Sequence, residues 1–419
     1  MIHKSLFLLM FLFLLLSVSG CRDRYDVDEL AIVIGVGIDQ VKGAEPILLT
    51  VQVVNPAATK SPGTEGGGGS GGQNKPFIIL TSQGKTVLEA VRNLTRTSPR
   101  KLLFSHNKII VLGKTLAESD IAEVMDYIER DREFRRTNLV VVAEQTAKEI
   151  LETKTDIEML PALGLFTTLT GKSQEFVYPV NLNEFLLNLQ NGIGVSYAPL
   201  VNLKDLNQES NRQLEQAAGK PMPTSTAKSP AKIDLDGMAV FRHNRLIGTL
   251  NDKESRDLLW LTNKLQRDMV TVPALTAKGD GEIAVDITKG NSEIIPHFTN
   301  HGITMDIICT GNATLRETGS FSPQLKDLQQ YNQIEQKTEE LLQARMEQTV
   351  NRAQQELKAD YLGFGNQIHN YNPPVWHRLQ NDWDQTFPQI PYRVTFHITL
   401  LRAGTIRGSA IPENAGSEL

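Results

Sequence analysis

The sequence is poor in cysteine, in surplus positive charge and in long apolar runs, and each shortage removes a class of protein. Two cysteines, Cys21 and Cys309, allow at most one intrachain disulfide, and none if Cys21 is otherwise engaged. Cys309 lies in the apolar run GITMDIICTG and reads as a small buried hydrophobe. Lys and Arg number 43 against 48 Asp and Glu, a formal charge of −5, so no nucleic-acid partner is expected. A long uninterrupted apolar block, Leu6 to Leu16, occurs near the start, and it falls short of the ~20 residues that cross a bilayer. What remains is ordinary. Apolar residues at 40% and charged residues at 22% over 419 positions describe a folded chain of two or three domains rather than a disordered one.

Catalytic and ligand-binding signatures are missing as well. Three triplets, Gly84-Lys85-Thr86, Gly113-Lys114-Thr115 and Gly171-Lys172-Ser173, resemble the end of a phosphate loop, but the glycine needed upstream is replaced by Ile79, Lys108 and Phe166. Gly35-Val36-Gly37 has Gln40 where a dinucleotide fingerprint needs its third glycine, so the pair reads as a bulge or close packing in a strand. His297 and His301 have the i, i+4 spacing of two metal ligands on a helix. Pro296 and Gly302 around them predict a loop instead, and no metal or cofactor is expected. No G-x-S-x-G elbow is present. The reading is of a protein that is not an enzyme.

The N-terminus is informative. A basic start at His3 and Lys4, the apolar block, and the small residues Ser17, Ser19 and Gly20 form a secretory signal that stops at Cys21. Val18-Ser19-Gly20-Cys21 fits a bacterial lipobox, in which the cysteine thiolate takes up a diacylglyceryl group, cleavage follows Gly20 and the new amino group is acylated. Two acyl chains, at ~0.8 kcal/mol per buried CH₂, hold a protein stably where one would be marginal. Cys21 is therefore read as the lipid attachment point, with the mature chain on the outer, extracytoplasmic face of a membrane.

Residues 1–20 are thus the signal, and 21–195 read as a mixed α/β domain of strand and helix pairs. Within it Ser61–Gly72, SPGTEGGGGSGG, is a predicted loop of linker composition. Residues 206–229 are polar and read as a linker, 230–275 as a small middle domain of two strands joined at RHNR plus a helix, 278–405 as a C-terminal α/β domain, and 406–419 as a tail. Between Pro323 and Asp360 the residues Leu325, Leu328, Ile334, Leu341, Leu342, Val350 and Leu357 recur at helical spacing and predict one long helix. Trp376, Leu379, Trp383 and Phe387 follow Pro373-Pro374 on one predicted helical face, expected to pack against the last strand, YRVTFHITLLRAG. The fold class is mixed α/β, with sheets flanked by helices.

Four blocks in order, GCRDRYDVDELAIVIGVGID, SHNKIIVLG followed by DYIERDREFRRTNLVVVAEQTAKEILE, DGMAVFRHNRLIGTLNDKESRDLLWL, and DYLGFGNQIHNYNPPVWHRLQNDWDQTFP, resemble the C-subunit lipoproteins of spore germinant receptors, the Ger(x)C (GerAC-like) family. Two departures stand out: Arg22 where the family commonly has Trp after the lipobox cysteine, and the Gly-rich 61–72 stretch, which looks like an insertion. The resemblance implies a three-domain, non-enzymatic ectodomain on the outer face of the spore inner membrane. It implies an integral-membrane A subunit and a transporter-like B subunit as partners, and assigns no catalytic residue. The alternative reading is a solute-binding lipoprotein of a membrane transporter, which the long C-terminal helix and the aromatic segment suit poorly.

Overall fold

In the computed structural model the described residues are 29–55, 76–153, 158–171, 177–205, 231–273, 281–300, 302–317 and 328–403, together with Lys4 and Asp26. Cys21, Gly20, the Gly-rich loop 61–72, the linker 206–229, the tail 406–419 and all of the signal but Lys4 lie outside them. The first sheet takes shape around β1 (Leu30–Gln40), β2 (Ile47–Val54), β3 (Phe77–Gly84), β4 (Lys101–Leu103), β5 (Ile109–Gly113), β6 (Leu139–Ala143), β7 (Val195–Asp205), β8 (Ala231–Arg242) and β9 (Arg245–Leu250). Its strand order is β3-β2-β1-β5-β6-β7-β8-β9, with β4 paired to β1. The centre, β1-β5-β6-β7, is parallel and the flanks are antiparallel. IIVLG and LVVVA, all buried, are the near-continuous apolar runs that a parallel strand covered on both faces requires.

Helices α1 (Val87–Thr97), α2 (Lys114–Glu118), α3 (Ala122–Arg130), α4 (Ala147–Glu152), α5 (Pro161–Thr170) and α6 (Leu182–Gln190) flank this sheet. Their starts follow local chemistry. Thr86, Thr146 and Asn181 accept from backbone amides three residues on, and Thr146 with Glu149 forms a reciprocal capping box. The stretch LAESDIAEVMDYIERD forms two helices, broken at Ser119–Ile121, and Ile121, Val124, Met125 and Ile128 are all buried, as their helical spacing implies. At Gly35 and Gly37 an added Cβ would meet Ala162 at 2.5 Å and Ala147 at 3.0 Å, so the two glycines let α4 and α5 lie directly on β1.

The stretch 230–275, expected as a unit of its own, is divided between two sheets. β8 and β9 pair onto β7 and complete the first sheet, turning at His243 and Asn244, both with positive φ (47° and 65°) as a tight hairpin needs. Helix α7 (Asp252–Leu261) then leads to β10 (Asp268–Pro273), which opens the second sheet with β11 (Glu282–Thr299), β12 (Gly302–Glu317) and β13 (Tyr392–Ala403), in the order β10-β11-β12-β13. The last pair is parallel and needs a crossover, supplied by α8 (Leu328–Asn351). At 1.5 Å per residue α8 is about 36 Å long. A single π-helical turn, Arg352–Leu357, extends it to Lys358, whose φ of 48° ends it. Three short helices, α9 (Phe364–Tyr371), α10 (Pro373–Leu379) and α11 (Trp383–Thr386), precede β13.

Ile334, Thr338, Leu342, Met346, Thr349 and Val350 are the buried stripe of α8. On its flank, Glu335 and Glu339 do something different. Their carboxylates accept the backbone N–H of Leu400 and Ile398, each at 2.7 Å, and so occupy donors along the edge of β13 that no strand among the described residues pairs. Buried apolar side chains of both sheets form one contiguous core, and Trp260 of α7, fully buried against Phe396 of β13 at 5.4 Å, sits within it.

Candidate functional site

Among the groups singled out in the sequence, the structure spreads the ligand-like ones apart and gives them structural partners. Gly84-Lys85-Thr86 is a strand-to-helix turn closed by Glu89: the Lys85 N–H donates to its carboxylate at 2.8 Å, and the Glu89 N–H donates to Thr86 Oγ1 at 3.2 Å. Gly113 lies where β5 enters α2, with Asp39 Oδ1 only 1.9 Å from where a Cβ would stand, and Lys114 pairs with Glu144. Asp39 in turn accepts the amides of Ala147 and Lys148 at 2.7 and 3.0 Å; burial raises its carboxyl above the usual range against those two bonds. Lys172 and Ser173 are outside the described residues. His297 is not in a loop: it belongs to β11 and meets Asp306 across the hairpin at 2.9 Å, because the strand pairing continues to Thr299↔Gly302. His301 is outside the described residues. Cys309 is buried, and burial pushes its thiol up to about 12, which leaves it inert. No cluster of three metal-ligating side chains occurs among the described residues.

What the chain does bring together is a joint. Asp257 of α7 and Asp268 of β10, both fully buried, share Arg345 of α8: Nε donates to Asp257 at 2.7 Å and Nη2 to Asp268 at 2.7 Å. Thr349 Oγ1 donates to Asp257 at 2.7 Å, Trp260 Nε1 to Asp268 at 3.1 Å, and Arg256 Nη1 to Asp268 at 3.4 Å. Burial raises Asp257 to about 6 against the pull of Arg345. Burial likewise opposes the Arg345 charge, but the two carboxylates outweigh it and hold the guanidinium protonated. Every strong acceptor is filled, so the network fixes α8 on α7 and the second sheet rather than offering a reactive group.

The aromatic segment is the other half of the joint. Its residues do not share one helix: α10, a 3₁₀ turn, α11 and another 3₁₀ turn carry them in succession. Trp376, Trp383 and Phe387 are nonetheless buried, with Trp376 and Trp383 edge to face at 5.1 Å, and Phe387 meets Phe364 at 5.6 Å. They share one core with Val394, Phe396 and Ile398 of the last strand, and their polar anchor is the buried Asp360, which accepts from the amides of Gly363 (2.9 Å), Phe364 (3.0 Å) and Gly365 (2.7 Å) and from Trp383 Nε1 (3.2 Å). Gly363 has φ 91°, and a Cβ at Gly365 would stand 2.9 Å from both Trp376 and Ile193, so DYLGFG can only be this turn. Through Ile193 the cluster reaches the loop before β7. Arg242 Nη1 donates to the Lys358 carbonyl at 2.7 Å, and His243 meets Asp384 at 3.0 Å, which ties the β8–β9 turn to the same helices. Composition could not reveal Asp257, Asp268, Arg345 or Asp360; the quoted DYLGFG and SRDLLWL runs were the available signal.

The comparisons follow this architecture. Residues 23–203 match the family described as spore germination protein N-terminal domain, and residues 236–404 match spore germination B3/GerAC like, C-terminal. The spore germination protein KC of Bacillus subtilis (strain 168) is 26% identical, over 96% of this chain and 97% of that one, and the spore germination protein B3 of the same organism is 24% identical over 96% and 98%. The crystal structure of the GerBC protein covers 88% of this chain and 97% of that chain at 20% identity with a TM-score of 0.54, which shows the shared fold. The two family matches meet across β7 and β8, the strands that carry the chain from the parallel centre of the first sheet toward the second, and with them the chain belongs to the GerAC-like family of spore germination proteins.

Proposed function

We propose that the chain is a lipid-tethered, non-catalytic subunit of a nutrient germinant receptor, held by acyl groups on Cys21 at the outer face of the spore inner membrane and working by contact with integral-membrane A and B subunits. The observation that carries the reading is continuity: the family match begins at residue 23, directly behind the lipobox, and runs to residue 404 with one gap. No helix among the described residues is long and apolar enough to cross a membrane, so the tether is the membrane attachment this reading requires. The interlocked joint supports it too, since a body built to transmit contact needs its two sheets fixed to each other.

Cys21→Ala in the full chain tests the reading. The expected result is loss of acyl mass from the N-terminal peptide, loss of the chain from the membrane fraction, and a germination response to nutrients reduced at least tenfold (about 1.4 kcal/mol per tenfold), with the melting of the body unchanged. A variant that still carries acyl mass and partitions into detergent, or spores that germinate normally without the tether, would refute it. Co-purification of the wild-type chain with A and B subunits from detergent-solubilised spore membranes checks the partners.

A further inference from the structure

The tether reading fixes which end of the molecule is near the bilayer, and the structure shows what that end carries. From Cys21 to Leu30 a fully extended chain reaches at most about 30 Å. β1 overshoots β5 at this end: Gly35 faces Ile109, while Leu30–Ile32 pair with Lys101–Leu103 of β4. Helix α1 terminates here with Arg96 in its last turn, and the chain continues through Arg100 and Lys101 into β4. The loop after α3 closes on the same place, since Glu133 accepts the Phe104 amide at 2.9 Å and Phe134 packs on Phe104 at 5.5 Å. Arg132 and Arg135 flank that phenylalanine. Arg92, Arg96, Arg100, Lys101, Arg132 and Arg135 are all exposed.

The acidic groups of this end include Asp26, Glu29, Glu129, Asp131 and Glu133, with Asp23 and Asp28 in the sequence between Cys21 and β1, and Glu129, Asp131 and Glu133 are turned to internal partners. Glu129 pairs with Arg136 at 2.6 Å, Asp131 accepts from the Tyr127 hydroxyl and the Glu133 amide at 2.9 Å each, and Glu133 holds Phe104. A chain with a net charge of −5 thus concentrates exposed arginine at the end next to its lipidation cysteine. Electrostatic attraction fades over about 10 Å at 0.1 M salt, so a surface patch elsewhere on the molecule would not feel the bilayer. At this end the tether keeps the patch at high effective concentration, and a weak attraction suffices to orient the body.

We infer that the face formed by the end of α1, the start of β4 and the loop after α3 docks on anionic lipid headgroups through Arg96, Arg100, Arg132 and Arg135. The inference rests on the Cys21 tether. It is tested with the lipidated full chain reconstituted into vesicles of phosphatidylcholine alone and of phosphatidylcholine mixed with phosphatidylglycerol, reading amide hydrogen exchange over 96–106 and 131–137. Exchange there is expected to slow by roughly tenfold in the anionic vesicles only, and to recover at high salt. The combined variant Arg96→Glu, Arg100→Glu, Arg132→Glu and Arg135→Glu should lose the protection, with exchange over β5, β6 and β12 unchanged as the check of folding. Equal exchange in both vesicles, with the chain still in the vesicle fraction, overturns the docking face and leaves the tether standing. A chain that does not enter the vesicle fraction overturns both. Protection that arises only when other membrane proteins are added assigns the face to a protein and overturns the lipid assignment.

Discussion

Arg345 is the residue on which most depends, because it stands between two carboxylates that have no access to water. Arg345→Met is expected to cost about 3–5 kcal/mol, as removing one partner leaves buried charge uncompensated; chemical denaturation measures it, and a loss under 1 kcal/mol would mean the network is solvated. Asp257 adds a pH dependence of defined sign. Its folded-state pKa of about 6 lies above the ordinary 3.8, so the native state holds the proton more tightly than the unfolded chain. Its contribution to stability therefore falls as pH rises from about 4 to about 6 and is constant above that window. Asp257→Asn removes this slope, and the stability difference between variant and wild type should shift in the variant's favour across that range. A difference that stays flat from pH 4 to 6 would show that Asp257 titrates normally. Asp286 runs the opposite way: Arg267 and Arg316 beside it hold its carboxyl below the usual range, so its contribution is lost as pH falls through that lowered value.

Among the elements, α8 does two jobs and only one of them was legible. Periodicity identified Ile334, Leu342 and Val350, all buried, because apolar spacing records the face a helix turns to a core. It could not identify Thr338, Thr349 or Arg345, polar groups buried for their hydrogen bonds, nor Glu335 and Glu339, whose partners lie about sixty residues further along the chain. Replacing both glutamates by Ala should free two edge donors of β13 and make the chain self-associate, seen as a concentration-dependent mass in light scattering, whereas Gln, which keeps an acceptor oxygen, should restore most of the monomer. A monodisperse Ala variant would show that the edge is covered by other means. The aromatic segment is a related case. Its burial was legible from the spacing of its aromatics, but its anchor was not: Asp360 and Gly363, which no hydrophobic period marks, make the turn that receives Trp383. Trp383→Ala should cost about 3–5 kcal/mol, read as a lower melting temperature; an unchanged melting temperature would place the side chain at a surface.

At the level of the whole molecule, alternation and turn residues foretold strands and a mixed fold, but not that the strands between 230 and 275 would be shared out. Which sheet a strand joins depends on non-local pairing, and β8 looks the same in sequence whether it starts a new sheet or finishes an old one. Because the two sheets share one core, calorimetry should show a single unfolding transition. Two separated transitions would mean that the sheets melt independently. Deleting Gly66–Gly72, in a segment outside the described residues, should leave that transition in place, since loop closure changes only slowly with length.

The parallel pairing of β12 with β13 also sets an order of events. β13 is the last strand of either sheet to be synthesised, and β12 has no other neighbour on that side. As the chain emerges N-terminus first, the first sheet has all its strands well before the second, whose β12 edge waits unpaired while α8 and the aromatic helices follow. Completion of the second sheet therefore waits until β13 has been synthesised and is closed by a contact of high sequence separation. A premature stop before Tyr392 would leave a complete first sheet carrying an open β-edge, a species prone to proteolysis or aggregation rather than a shortened working protein.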